Sequence, residues 1–169
     1  LLTGSAGPLA VVRQAPPGDC EVRVTRDSFT NDTITTLTLM LQAPKGKPMP
    51  VSLVLTAVRR YRAKASDPLA MHMDFYLPLY VGRLEPKPPH LVFVLDRNTK
   101  DEHTDSFSVP PSVPIGPGGV DYVSLPFDAA ALARLAKAGT IDGRVLGIVF
   151  ELTAKQVTAI HGFPARLTK

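Results

Sequence analysis

From Cys20 to Leu95 hydrophobic and polar side chains alternate through much of the chain, the period of a strand with one face turned inward and the other outward. Cys20, Val22 and Val24 alternate with Glu21, Arg23 and Thr25, and in the stretch 35–41 Leu37, Leu39 and Leu41 share one face. Val51 to Tyr61 is a third strand, rich in β-branched and aliphatic residues. Leu69 to Tyr80 is apolar and aromatic up to Pro78, which has no amide hydrogen for a ladder and so predicts an edge or a bulge in its second half. Leu91 to Leu95 is apolar on both faces, which predicts a central strand and the most buried one.

The pattern changes in the last third. Val120 to Phe127 predicts a strand, and Asp128 is a good N-cap for a helix over Ala129 to Ala138, with Leu132, Leu135 and Ala136 as its apolar stripe and Gly139 as a left-handed C-cap. Gly143 to Leu152 predicts one strand with Leu146, Ile148, Phe150 and Leu152 on one side. Thr153-Ala154-Lys155-Gln156 is a capping box opening a short helix, expected to stop near His161-Gly162 because Pro164 cannot continue the ladder.

Between these elements lie turn and linker signals. Pro44-Lys45-Gly46-Lys47-Pro48 is turn chemistry, Glu85-Pro86-Lys87-Pro88-Pro89 reads as a stiff connector, and residues 96–119 form one long polar and then Pro/Gly-rich loop. Residues 1–19 are small and lightly charged and read as an extended leader or anchor segment ahead of a single β-rich domain at 20–169. The fold class expected is mainly β (α+β), an antiparallel β-sandwich or barrel-like domain with two short C-terminal helices.

Size and composition agree with one folded domain. The 169 residues are 44% hydrophobic and 20% charged, outside the range of disordered chains. No apolar run approaches the length of a spanning helix, since even Val51 to Val58 is interrupted by Ser52 and Thr56. Cys20 is the only cysteine, which excludes an intrachain disulfide and a multi-thiolate metal site. Leu2-Thr3-Gly4 before Ser5 resembles the end of a bacterial lipoprotein signal, with Ser5 where such a signal has its lipidated cysteine. That resemblance implies a secreted or periplasmic, cell-envelope location and an N-terminal lipid anchor in the native form.

The net charge of +4 is scattered except at Arg59-Arg60-Tyr61-Arg62-Ala63-Lys64. As a strand end, this stretch would place Arg60, Arg62 and Lys64 on one side and Arg59 with Tyr61 on the other. Arg59, Arg60, Arg62 and Lys64 are therefore the candidate anion-binding residues. Nucleic acid is not the expected partner, because stacking aromatics and a recognisable module are both missing from the sequence and Trp is absent.

Candidate chemistry centres on Met71-His72-Met73-Asp74-Phe75-Tyr76. On a strand, Met71 and Met73 face away from His72 and Asp74, so the four cannot grip one ion. His72-x-Asp74 with a distant histidine resembles the two-His-one-carboxylate set of non-haem iron oxygenases, a set that His90, His103 or His161 would complete, with Arg166 holding a co-substrate carboxylate. The metal candidates are His72, Asp74 and His161. Asp96 to Asp101 begins like a calcium loop but has Lys100 at a ligand position and no turn glycine. His103, Asp105 and Ser106 are the residue types of acyl transfer without a nucleophile elbow, and Gly116-Pro117-Gly118-Gly119 lacks the Lys-Ser/Thr of a phosphate loop. Asn31-Asp32-Thr33 matches a glycosylation acceptor.

No complete catalytic set is legible, and the expected function is a non-catalytic binding or assembly module of the secreted or envelope type. It needs no cofactor, and its partner would be another protein or envelope component. The alternative is a metal-dependent oxidoreductase, with iron or copper held by His72 and Asp74.

Overall fold

The computed structural model describes residues 20–44, 47–64, 66–78, 90–108, 113–115 and 120–167. The expected leader with Ser5, the 85–89 connector and the Gly116–Gly119 stretch lie outside the described residues. The described chain is mostly antiparallel β-sheet with two helices, a sandwich- or barrel-like domain whose strands belong to one sheet.

Its elements follow the order β1 (Cys20–Arg26), β2 (Thr33–Ala43), β3 (Lys47–Arg59), β4 (Ala70–Pro78), β5 (His90–Leu95), β6 (His103–Ser108), β7 (Val113–Ile115) and β8 (Val120–Pro126), then α1 (Ala129–Leu135), β9 (Ile141–Val145), β10 (Ile148–Glu151) and α2 (Ala154–Leu167). The strands pair in the order β6-β5-β9-β10-β2-β3-β4-β8-β7. β2 is the junction. One edge pairs with β3, while the other is shared by β1, opposite Thr33 to Leu39, and β10, through the pair Gln42 and Glu151. That single pair joins the half containing β10, β9, β5 and β6 to the half built around β2, β3, β4 and β8.

The two halves meet through phenylalanines. Phe150 of β10 lies 6.3 Å from Phe75 of β4 and 6.0 Å, edge-on, from Phe93 of β5, measured between ring centroids. All three are fully buried, and edge-to-face geometry is the arrangement that ring quadrupoles favour. Leu37, Leu39 and Leu41 of β2 and Leu53 and Leu55 of β3 extend the same interior, so the period-two pattern places these side chains as expected. Each contributes about 1.5–3 kcal/mol by leaving water.

The helices close one side of this core. The Asp128 carboxylate accepts from the Ala131 amide at 2.6 Å, and α1 buries Leu132 and Leu135. In the capping box of α2 the Thr153 amide donates to Gln156 Oε1 (3.0 Å) and the Gln156 amide donates to Thr153 Oγ1 (3.3 Å). Gln156 is fully buried and its Nε2 also donates to the Met40 carbonyl of β2 at 2.6 Å, which ties the start of α2 to the sheet.

Several local expectations are corrected. α2 does not stop at Gly162 but runs through Pro164 to Leu167. Burial of Phe163 and Leu167 holds the last turn, and Arg59 donates to the Leu167 carbonyl at 2.7 Å, outweighing the lost proline hydrogen bond. Gly139 is not a left-handed cap. α1 ends through tightened bonds from Lys137 to the Arg134 carbonyl and from Ala138 to that of Leu135, and the Asp96 carboxylate then accepts the Gly139 and Thr140 amides.

The single strand expected at Gly143 to Leu152 is a hairpin. Leu146 (φ 46°) and Gly147 (φ 79°) turn the chain between β9 and β10, the sign of φ at both central positions that a tight hairpin requires. The 96–119 loop contains β6 and β7, which pair with β5 and β8; polar composition hid the first, and the second is only three residues long with a proline at its centre. β5 is central, paired with β6 on one edge and β9 on the other, but it is not covered on both faces. Leu91, Phe93 and Leu95 are buried, while His90, Val92 and Val94 are only half-buried, because one face alone is covered.

Candidate functional site

β3 ends at Arg59, so the alternation expected for Arg60 to Lys64 is replaced by a turn with Arg62 at φ 66°. The Tyr61 amide donates to Asp32 Oδ1 at 2.6 Å and the Ala63 amide to the Arg60 carbonyl at 3.0 Å. The Lys64 amide donates to Asp67 Oδ2 at 2.7 Å. Arg60, Arg62 and Lys64 all project into solvent. Arg59 is half-buried instead, drawn to the end of α2 by the Leu167 carbonyl.

Around Arg59 the end of the sandwich is hollowed. Three depressions of about 500, 410 and 300 Å³ all have Arg59 and Leu69 in their walls and are branches of one groove. The largest runs between β4 and the two helices, over Met71, Phe127, Leu132 and Leu167. The second opens toward Arg60 and Asp67, and the third toward Val24, Thr35 and Arg166. The groove thus has an apolar floor and a rim with three arginines, Arg59, Arg60 and Arg166, facing Asp67 and Asp128. Asp128 is already engaged as the α1 cap and Asp67 by the Lys64 amide. Such a surface suits an amphiphilic segment with an anionic group, with apolar contact supplying affinity and the guanidinium groups supplying orientation.

The metal candidates are placed as follows. Met71, Met73 and Phe75 are buried in the core, which sends His72 and Asp74 to the other face of β4. His72 is exposed between Thr56 of β3 and Pro126 of β8, whereas Asp74, between Val54 and Ser124, is buried. His161 lies on α2 with Nε2 2.8 Å from the Ala138 carbonyl. Among the described residues no group of three His, Cys, Asp or Glu side chains gathers at metal-binding distance.

A second polar cluster sits on β6. Arg134 Nε of α1 donates to both oxygens of the buried Asp105 carboxylate at 3.1 and 2.9 Å, and His103 Nε2 stands 3.1 Å from Asp105 Oδ1. The Asp105 carboxylate holds the Arg134 guanidinium above its ordinary pKa. Ser106 projects from the opposite face of β6, so His103, Asp105 and Ser106 do not converge. The cluster fastens α1 to an edge strand.

Sequence reasoning found Arg59, Arg60 and, in another role, Arg166. It missed Leu69, Phe127, Leu132 and Leu167 as one surface. Leu69 precedes β4, Phe127 links β8 to α1, Leu132 is on α1 and Leu167 ends α2, and only the tertiary fold brings them together. A comparison of the chain with known protein families, curated proteins and solved structures finds no match.

Proposed function

We propose that this protein is a non-catalytic binding or assembly module of the secreted or cell-envelope type, and that the groove around Arg59 receives its partner, another protein or an envelope component. The observation that carries this reading is the groove itself: an apolar floor with an arginine rim, set at the end of the sheet and fastened by the Arg59 bond to α2. Binding residues placed on loops and ends of a stiff scaffold are the usual solution for such modules.

The lipid-anchor and envelope assignments rest on the Leu2-Thr3-Gly4-Ser5 resemblance. The oxidoreductase alternative requires His72 and Asp74 to recruit a second imidazole. His161, its named candidate, is instead hydrogen-bonded at the end of α1. Elemental analysis of the purified protein separates the two. The binding module contains iron and copper only at trace level, and His72→Ala changes nothing. A stoichiometric metal that disappears in His72→Ala would establish the oxidoreductase.

A further inference from the structure

The end of the sandwich beside the groove carries a second feature. The turn joining β1 to β2 presents Phe29 at 94% exposure, the most exposed large hydrophobic side chain among the described residues. Phe29 therefore gains nothing from burial within the chain, and its whole apolar surface is open to contact from outside.

This turn is not slack. Asp27 Oδ1 accepts the amides of Phe29 (2.7 Å) and Thr30 (2.8 Å), the Asp27 amide donates to the Asp32 carbonyl, and the Asn31 amide donates to the Asp27 carbonyl. Asp32 Oδ1 in turn accepts the Tyr61 amide, which locks the turn beside the one that follows β3. Tyr61 is itself half in water, with the guanidinium carbons of Arg26 and Arg62 at 5.8 and 5.2 Å from its ring centroid.

The result is a convex tip with a protruding phenyl ring, a phenol behind it and a collar of exposed cations, Arg26, Arg60, Arg62 and Lys64. The same turns hold three carboxylates, Asp27, Asp32 and Asp67, each accepting a backbone amide of the turns, so the tip has four basic side chains against three acidic ones. An apolar wedge surrounded by cations complements one surface in particular, an acyl layer beneath negatively charged headgroups. A nucleic acid would need more than one open aromatic face to stack successive bases. Guanidinium groups lie over the Tyr61 ring, and Phe29 stands alone on its turn.

We propose that this tip docks on an anionic lipid bilayer, with Phe29 entering the acyl boundary, Tyr61 at headgroup level, and Arg26, Arg60, Arg62 and Lys64 against lipid phosphates. The assignment does not depend on what fills the groove. It orients the module with Arg60, which belongs to both features, at the membrane side.

The chain has no tryptophan, so Phe29→Trp introduces a single reporter at the tip. Mixed with equimolar phosphatidylglycerol–phosphatidylcholine vesicles, its emission shifts to the blue, and the shift is lost with phosphatidylcholine alone and with added salt. In co-sedimentation, Phe29→Ala weakens binding to the anionic vesicles by about tenfold or more while Phe29→Leu retains it. Arg60→Ala and Arg62→Ala each weaken it by about fivefold. Circular dichroism of each variant matches the parent chain. The proposal is overturned if the tryptophan emission does not move, or if Phe29→Ala sediments like the parent. Tighter, salt-sensitive binding to a single-stranded oligonucleotide, indifferent to Phe29, would overturn it in favour of a nucleic-acid surface.

Discussion

The ring of Phe150 lies directly over the backbone of Gly143, its partner across the β9–β10 ladder. A methyl group at Gly143 would overlap the Cζ, Cε1 and Cε2 atoms of that ring. On the other side of β9, Phe93 of β5 is also registered with Gly143. The missing side chain therefore makes room for the edge-on contact of Phe93 with Phe150, through which Phe75 is reached in the other half of the sandwich.

Gly143→Ala is expected to destabilise the fold by about 1–3 kcal/mol, the cost of forcing bulk into a filled core. Phe150→Ala should cost about 3–5 kcal/mol through lost burial and the cavity left behind. Combining Gly143→Ala with Phe150→Leu should cost less than the sum, because the smaller side chain relieves the overlap. Urea denaturation of these three variants and of Phe150→Leu alone measures all of this.

The start of α2 depends on Gln156. Replacing it with Leu keeps the bulk but removes the acceptor for the Thr153 amide and the donor to the Met40 carbonyl. A loss of about 1–3 kcal/mol is expected from leaving buried polar groups unpaired. Faster hydrogen exchange in the first turn of α2 would locate the effect.

Arg59 has two roles that separate on substitution. Arg59→Ala removes the donor to the Leu167 carbonyl, and the last turn of α2 should fray, costing about 0.5–1.5 kcal/mol. Arg59→Lys can retain a donor and restore part of the stability. It cannot restore the planar fork that orients a carboxylate or phosphate in the groove. Thermal denaturation reads the first role, and photo-crosslinking in the groove the second.

The turn that carries Phe29 has a pH signature. Hydrogen bonds from the Thr30 and Phe29 amides hold the Asp27 carboxyl below its ordinary value of 3.8. A group depressed in the folded state contributes stability that is fully present above its unfolded pKa and lost as pH falls through the folded one. The turn should therefore be intact throughout neutral and mildly acidic solution and loosen only below the ordinary aspartate range. Carbon-13 titration of the Asp27 carboxyl gives its midpoint, and Asp27→Ala should speed exchange of the Phe29 and Thr30 amides at neutral pH.

The sequence revealed the sandwich where alternation was strict, as in β2 with Leu37, Leu39 and Leu41. It also revealed both helix starts, where Asp128 and the pair Thr153 and Gln156 act on residues three positions away. It failed where distant parts of the chain decide. Leu146-Gly147 lacks the usual asparagine or aspartate of a tight turn, and burial of Leu146 in the core accompanies its left-handed backbone. Pro164 looks like a helix stop until Phe163 is seen buried and Arg59 is seen to cap the carbonyl three residues on. The candidate site was legible only in Arg59 and its neighbours, because its apolar floor draws on residues as far apart as Leu69 and Leu167.

The groove is the centre of the account, and photo-crosslinking in cells tests it directly. A photoreactive side chain at Asp67, on the groove rim, is compared with one at Val149, which is exposed on β10. The expected result is a discrete crosslinked adduct from position 67, lost when Arg59→Glu is added, with none from position 149. Equal crosslinking from both positions, or an adduct from 67 indifferent to Arg59→Glu, would contradict the groove as the place where this module binds.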